Sequence, residues 1–162
     1  MGVGIFSAVV FDLDGLIVDT EPLQQRAFNE LLAERGINYH ITLEEYGKFF
    51  VGVSVKENAR WLQTKLGLKN SSEEILARHN ALYSRLIAAP ENLAAMPGLM
   101  PLLEHLQQRG IPCAVATGSP HDHAKLVLRG LNIETYFRAV VTGSDITRPK
   151  PDPEIIPFVL KA

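Results

Sequence analysis

Ala8-Val9-Val10-Phe11-Asp12-Leu13-Asp14-Gly15 is the stretch that decides the fold of this 162-residue chain. Its first four residues are apolar and include two β-branched valines, a pattern typical of a parallel strand that is buried on both faces. Two aspartates and a glycine then end the run abruptly. The stretch therefore predicts a buried strand that opens into a polar loop at its carboxyl end.

Two later apolar runs predict further strands. They cover residues 111–116 and 139–141, and each is followed by Thr-Gly, a turn signal. Leucines at helical spacing over residues 99–106 predict a helix before the first of these runs, and a second amphipathic stretch covers residues 121–129. A chain that alternates strands and helices in this way is expected to form an open, parallel α/β sheet.

The region between the first strand and the rest of the sheet is expected to be helical. Three capping boxes predict helix starts in it: Thr42 with Glu45, Ser54 with Glu57, and Ser71 with Glu74. We therefore expect a discontinuous α/β core of residues 1–15 and 96–162, interrupted by a helical domain of residues 16–95.

Composition narrows the class of partner. The formal net charge is −2 and basic residues form no run, so neither a nucleic acid nor an anionic membrane surface is an expected partner. No apolar stretch approaches the roughly 20 residues that span a bilayer. Cys113 is the single cysteine, which excludes a disulfide framework and fits a reducing cytoplasm. A small molecule is the expected ligand.

Polar residues follow each predicted strand. Because ligands bind outside the carboxyl ends of the strands in open α/β sheets, these residues form the candidate site. They are Asp12 and Asp14 after the first strand, Thr117, Gly118 and Ser119 after the second, and Lys150 beyond the third.

These residue types fit phosphoryl transfer. The charges of Asp12 and Asp14, two positions apart, repel each other unless a cation lies between them or one takes up a proton. Mg²⁺ prefers one or two carboxylates together with substrate phosphate and water. The hydroxyl and N–H groups of residues 117–119 can hold phosphate oxygens, and Lys150 can balance negative charge. A nucleophile, a metal, a hydroxyl and a lysine together form a site for phosphoryl transfer.

Three motifs carry a resemblance to a known family. Phe11-Asp12-Leu13-Asp14-Gly15, Ala116-Thr117-Gly118-Ser119 and Lys150-Pro151-Asp152-Pro153 resemble, in this order, the first three motifs of the haloacid dehalogenase (HAD) superfamily. The resemblance is to its phosphatases related to β-phosphoglucomutase and phosphoglycolate phosphatase. It implies a HAD-like Rossmannoid parallel sheet with an inserted helical cap, which closes over a small phosphorylated metabolite.

The resemblance also implies roles for the site residues. Asp12 is the nucleophile that forms an aspartyl-phosphate, and Asp14 protonates the leaving alcohol and then activates water. The Asp12 carboxylate and the Asp14 backbone carbonyl hold Mg²⁺. Thr117 binds the phosphate, and Lys150 stabilises the negative charge.

Two features narrow the expected activity. Asp14 favours a phosphatase over a dehalogenase, because a halide leaving group needs no proton donor. Gly52-Val53-Ser54 is similar to the cap loop of the β-phosphoglucomutase subgroup, but Val55 stands where the mutases carry an arginine for the distal phosphate. A phosphomutase is therefore the less favoured activity.

The family's fourth motif, an acidic segment that completes the metal site, is not found before Ala162. We therefore expect a chain truncated before that motif, incomplete at the carboxyl end of its sheet, and impaired in activity. The strand of residues 8–11 then becomes an unpaired sheet edge that favours self-association. The alternative is a catalytically inactive module with a binding or regulatory role.

Other polar residues have local interpretations. Asp19 and Thr20 are expected to cap a helix rather than to touch substrate. Asp145 lies near the third strand end, with a metal role as the minor alternative. His121 and His123 are expected to be solvated or locally bonded.

Overall fold

The computed structural model describes residues 7–161, and the chain divides into two compact units. The first unit consists of Met1–Thr20 and Ile87–Ala162, and the second is Glu21–Leu86. The sequence had placed the corresponding boundaries at different residues, after 15 and after 95. The role of the second unit as a cap stays a prediction.

Three parallel strands and seven helices make up the described residues. The strands are β1 (Val9–Phe11), β2 (Cys113–Ala116) and β3 (Phe137–Val141). The helices are α1 (Glu21–Glu34), α2 (Leu43–Phe49), α3 (Val55–Leu66), α4 (Ser72–Ile87), α5 (Leu99–Gln108), α6 (His121–Gly130) and α7 (Ile155–Lys161). The expected α/β class is confirmed.

The sheet has the order β1-β2-β3, and both pairings are parallel. The register places Phe11 beside Val115, and Val115 beside Val140. The three strands therefore end together, and the polar loops that follow them meet at one edge of the sheet. β2 begins at Cys113, two residues later than the apolar run, because Pro112 has no N–H to donate to the ladder.

Helix α7 covers one face of β2 and β3. Its buried residues Ile155 and Val159 pack against Ala116 and Val141 at the carboxyl ends of those strands. Apolar burial of this kind stabilises by about 25 cal/mol per Å² removed from water. The packing fixes α7, and with it the end of the loop that carries Lys150.

Strand β1 has one open side within residues 7–161. It pairs with β2 only, and Val10 on it keeps 41% of its surface exposed. Phe11 by contrast is buried, with its ring edge to face against Phe137 at 5.8 Å between centroids. The sequence predicted a strand buried on both faces, but only Phe11 of β1 is buried, because the strand has a neighbour on one side only within residues 7–161.

The second unit is helical, and the side chains of all three expected caps, Thr42, Ser54 and Ser71, accept a backbone N–H. Ser54 and Ser71 each accept the N–H of the glutamate three residues on, at 3.2 Å in both cases. In the Ser71 box, the Glu74 carboxylate accepts the Ser71 N–H in turn, at 2.9 Å. Thr42 also caps, but the Glu45 carboxylate turns away to Lys65 at 2.7 Å.

The core of the helical unit is aromatic and aliphatic. The rings of Phe28 and Phe50 meet edge to face at 5.6 Å, and His79 stacks on Phe28 with 3.9 Å between centroids. Leu31 and Leu62 are fully buried beside them. None of the described helices has the length and apolar character needed to cross a bilayer.

Candidate active site

The candidate residues meet at the carboxyl edge of the sheet, entirely within the first unit. Asp12 and Asp14 directly follow β1, and residues 117–119 directly follow β2. Lys150 lies in the loop between β3 and α7, next to a cis peptide bond with Pro151. Sequence separation is large, so only the parallel pairing of the strands brings these loops together.

Asp12 is the most accessible carboxylate of the site. Its Oδ1 accepts the N–H of Leu13 at 2.9 Å, and its Oδ2 lies 3.1 Å from the ammonium nitrogen of Lys150. The side chain of Asp12 remains 47% exposed. A carboxylate oriented on one side and open to solvent on the other can reach an electrophile that enters from solvent.

Lys150 links Asp12 to the neighbouring strand. Besides pairing with Asp12, its Nζ donates to the backbone carbonyl of Ala116 at 3.2 Å. The ammonium therefore lies between the ends of β1 and β2. A positive charge at this point offsets negative charge on Asp12 and on any phosphate bound beside it.

Asp14 points to hydroxyl groups rather than to Asp12. Thr20 donates to Oδ1 at 2.7 Å, while Ser119 donates to Oδ2 at 2.6 Å and Thr117 to the same oxygen at 3.4 Å. Thr20 and Thr117 are buried. The negative charges of the two aspartates are thus stabilised by different partners. Lys150 pairs with Asp12, and hydroxyl groups donate to Asp14.

The loop of residues 117–119 is fixed by backbone hydrogen bonds to the end of β3 and to the loop that follows it. Thr117 is fully buried, and its N–H donates to the Val141 carbonyl at 3.0 Å. The Ser119 carbonyl accepts the N–H of Gly143, also at 3.0 Å. A side chain at Gly143 would collide with the backbone oxygen of Gly118. The close approach requires glycine at position 143.

Two ionisable groups near this edge have shifted pKa values. The hydroxyl and N–H of Thr142 donate to Asp145, at 2.6 Å and 2.8 Å, and hold the pKa of Asp145 below its usual range. Burial lowers the pKa of His123, although the negative charge of Asp14 opposes the effect. At neutral pH the Asp145 carboxylate is ionised and the His123 imidazole is uncharged.

The donor set suits a hard divalent cation. Asp12 and Asp14 offer carboxylate and backbone oxygens, which are the ligands that Mg²⁺ prefers. Within residues 7–161 no group of three or more His, Cys, Asp or Glu side chains is arranged to hold a metal. The described residues therefore fit part of a coordination shell rather than a closed one.

The structure brings Asp12, Asp14, Lys150 and the loop of residues 117–119 together, although their chemical roles stay predictions. Thr20 is a contributor that the sequence alone did not reveal, because its place before α1 favoured a capping role. Asp145 instead closes a turn with Thr142. No spacing in the sequence marks Thr20 as a partner of Asp14.

Comparison with protein families gives one match over most of the chain. The profile of haloacid dehalogenase-like hydrolases matches residues 9–162. Among curated proteins, the phosphorylated carbohydrates phosphatase of Thermotoga maritima is 34% identical over 154 residues, which are 95% of this chain and 69% of that protein.

Solved structures share the fold. CbbY from Rhodobacter sphaeroides, crystallised as a mutant in complex with xylulose-1,5-bisphosphate, superposes with a TM-score of 0.77 at 25% identity, over 97% of this chain and 72% of that chain. A HAD-superfamily hydrolase of subfamily IA from Geobacter sulfurreducens superposes with a TM-score of 0.75 at 23% identity, over 96% and 71% of the two chains. The expected HAD-like fold is confirmed.

Proposed function

The chain belongs to the haloacid dehalogenase-like hydrolase family, and we propose that it is a Mg²⁺-dependent phosphatase that hydrolyses a small phosphomonoester through an aspartyl-phosphate. The observation that carries this proposal is the pairing of a half-exposed Asp12 with Lys150 at 3.1 Å, beside an Asp14 held by hydroxyl groups. The enzyme class is a phosphoric monoester hydrolase, in agreement with the phosphatase among its relatives.

Asp12 supplies the nucleophile in this proposal. One of its oxygens bonds to phosphorus while the bond from phosphorus to the alcohol oxygen breaks. Lys150, 3.1 Å from Asp12 Oδ2, offsets the charge that gathers on the phosphoryl oxygens. The Leu13 N–H fixes the orientation of the Asp12 carboxylate through its bond to Oδ1.

Asp14 serves as the acid and then as the base. It gives its proton to the departing alkoxide, and in the second step takes a proton from the water that attacks phosphorus and releases Asp12. The hydroxyls of Thr20 and Ser119 hold its two oxygens in place. Thr117, Gly118 and Ser119 bind the phosphate oxygens in the same proposal.

The Asp12 carboxylate and the Asp14 backbone carbonyl would hold Mg²⁺, which would neutralise charge on the phosphate. Because residues 7–161 contain no group of three metal ligands, we expect these residues alone to bind Mg²⁺ weakly and to turn over slowly. A catalytically inactive module with a binding role is the alternative that such weak binding favours. Absence of Mg²⁺-dependent turnover would support it.

The proposed substrate is a phosphorylated sugar or a metabolite of similar size. A relative that is a phosphorylated carbohydrates phosphatase and a structural neighbour with a bound sugar bisphosphate support this class. We propose that the unit Glu21–Leu86 serves as the specificity-determining cap. A phosphomutase remains the less favoured activity, because Val55 replaces the arginine of the mutases.

We also propose self-association through the open side of β1 and a reducing, cytoplasmic environment. The 41% exposure of Val10 and the pairing of β1 on one side within residues 7–161 support the first. Sedimentation velocity over a hundredfold range of concentration tests self-association, and a constant monomer value would rule it out.

The single, buried Cys113 supports the proposed reducing, cytoplasmic environment.

Hydrolysis of p-nitrophenyl phosphate with and without Mg²⁺ tests the function. We expect turnover that requires Mg²⁺ and that falls by about a thousandfold or more in Asp12→Asn, since the nucleophile is lost. Asp122→Asn, the same change at an exposed aspartate of α6, is the matched control and should keep full activity. Mg²⁺-dependent turnover that survives Asp12→Asn would exclude Asp12 as the nucleophile.

A further inference from the structure

The loop that carries Lys150 is organised around one carboxylate. Glu154, the residue before α7, accepts the Arg148 N–H at 2.7 Å on Oε2 and the Thr147 hydroxyl at 3.0 Å on Oε1. The Thr147 N–H also reaches Oε1, at 3.3 Å. The Glu154 side chain is only 17% exposed. Both ends of the loop of residues 147–154 are thereby tied to a single side chain.

The interior of this loop is closed by a second carboxylate. Asp152 Oδ1 accepts the N–H of Glu154 at 2.9 Å, and the Asp152 N–H donates to the Pro149 carbonyl at 3.1 Å. Lys150 lies inside this closed turn. Its backbone is therefore held within a turn whose two ends, residues 147–148 and residue 154, are joined by the Glu154 carboxylate.

The position of the loop decides whether Lys150 reaches the nucleophile. The ammonium sits at the end of a flexible four-carbon stem and is held by two bonds, at 3.1 Å to Asp12 and 3.2 Å to the Ala116 carbonyl. A shift of the loop would force the Lys150 stem out of this arrangement, and a lengthening of about 1 Å would take both contacts beyond hydrogen-bond range. The bonds to Glu154 are charge-assisted, which makes them stronger than bonds between neutral groups.

Helix α7 gives the anchor a rigid base. Ile155, directly after Glu154, is buried against Ala116 and Val141 at the end of the sheet. The Glu154 backbone is thus fixed to the sheet. Through its hydrogen bonds, the Glu154 carboxylate holds residues 147 and 148 at a set distance from that fixed point. An acidic residue before a helix commonly acts on the helix terminus, but this one points back into the loop.

We propose that Glu154 is a positioning residue, whose carboxylate holds the loop of residues 147–154 so that Lys150 reaches Asp12. This inference rests on the proposed function only for the role of Lys150, which is to offset negative charge on the phosphoryl group. The contact between Lys150 and Asp12 can be measured without turnover, so the two can fail separately.

The first measurement is the reactivity of the Lys150 amine toward acetic anhydride, read by peptide mass mapping against exposed Lys125 and Lys161. We expect Glu154→Ala to raise the relative labelling of Lys150 roughly twofold to fivefold, the range expected when a partly exposed ion pair is lost. Asp12→Asn should raise it as well. Glu154→Gln, which keeps one acceptor oxygen, should fall between Glu154→Ala and the unchanged chain.

Two control variants separate the anchor from general effects. Glu134→Gln removes an exposed carboxylate that pairs with Arg129 at 3.0 Å, away from the loop, and should leave Lys150 labelling unchanged. Arg148→Ala removes the guanidinium that pairs with Glu154 at 3.4 Å and with Asp152 at 3.3 Å but keeps the backbone N–H that binds Glu154, and should raise Lys150 labelling less than Glu154→Ala does. Equal labelling of Lys150 in folded Glu154→Ala and in the unchanged chain would overturn the inference.

The second measurement is steady-state phosphatase kinetics. Glu154→Ala should lower kcat by about ten- to a hundredfold, the scale of a 1 Å misplacement, while the thermal midpoint and KM change far less. A loss of kcat that only follows the unfolded fraction would contradict a positioning role. If the unchanged chain shows no turnover, the proposed function fails, and the labelling result alone decides the role of Glu154.

Discussion

Two loops at the same edge of the sheet are held in opposite ways. The loop of residues 117–119 is fixed by backbone hydrogen bonds and by contact with Gly143. The loop of residues 147–154 lies at the surface and depends on the Glu154 carboxylate. The first should therefore be sensitive to added volume, and the second to loss of charge.

The difference matches what each loop is proposed to do. Residues 117–119 have to present fixed groups to a phosphate, and the loop begins at the fully buried Thr117, which is hard to displace because interiors are densely packed. The lysine loop has to bring a charged group to Asp12 from outside the sheet. Anchoring by a side chain allows a surface loop to do so. The position of that loop then depends on one residue, Glu154, and on the pH at which its carboxyl group ionises.

The largest expected effect comes from adding one methyl group beside the first loop. Gly143→Ala places a carbon against the Gly118 backbone oxygen, so the two backbones have to separate. We expect a loss of about 1–3 kcal/mol in the free energy of unfolding, as for other overpacked sites, measured by urea denaturation, together with weaker phosphatase activity.

Gly47→Ala is the matched control for that substitution. Gly47 lies inside α2, where an added carbon has no neighbour within 4 Å. Alanine should therefore stabilise this helix, by about 0.5–1 kcal/mol. Equal stability of the two variants would show that the approach of the loops is not as tight as described.

A smaller effect should distinguish the loops by pH. The Arg148 N–H, with further donors from Thr147 and the Arg148 side chain, holds the pKa of Glu154 below its usual range. A carboxylate with a lowered folded-state pKa stabilises the fold above its unfolded pKa, and that contribution is lost as pH falls through the folded pKa. The Lys150 loop should loosen on acidification, below about pH 4, where glutamates titrate.

Amide chemical shifts measure this directly. The Arg148 amide should follow a titration whose midpoint lies below that of an ordinary glutamate, and Glu154→Gln should abolish it. The Gly143 amide, bonded to the Ser119 carbonyl, should not follow the titration of Glu154. An Arg148 amide that is insensitive to pH in folded protein would contradict the description of the lysine loop.

Regular elements were predictable where local patterns act alone. The helix expected to end near residue 129 ends at Gly130, Ser54 and Ser71 cap their helices as expected, and the box at Ser71 also has its reciprocal bond to Glu74. Each of these features depends on residues within one helical turn. The box at Thr42 is incomplete, because Glu45 is drawn to Lys65, twenty residues away along the chain.

The sequence predicted which residues form the candidate site, but it did not predict the hydrogen bonds among them. Strand ends and residue types selected Asp12, Asp14 and Lys150, and the structure places them at one edge of the sheet. The partners of Asp14 could not be predicted, because the Ser119 hydroxyl is 105 positions away in sequence. Thr20 was taken for a helix cap for a similar reason, since its bond to Asp14 depends on how the chain turns after β1.

By itself, the sequence determined the order of strands and helices, the family, and which side chains are candidates for phosphoryl transfer. Those properties follow from apolar periodicity and from residue types at fixed spacing, both of which act over short stretches of chain. Only the tertiary structure decided that Asp14 is held by hydroxyls and that Glu154 anchors the lysine loop. These contacts exist because parallel pairing and the packing of α7 bring the strand ends and distant loops together.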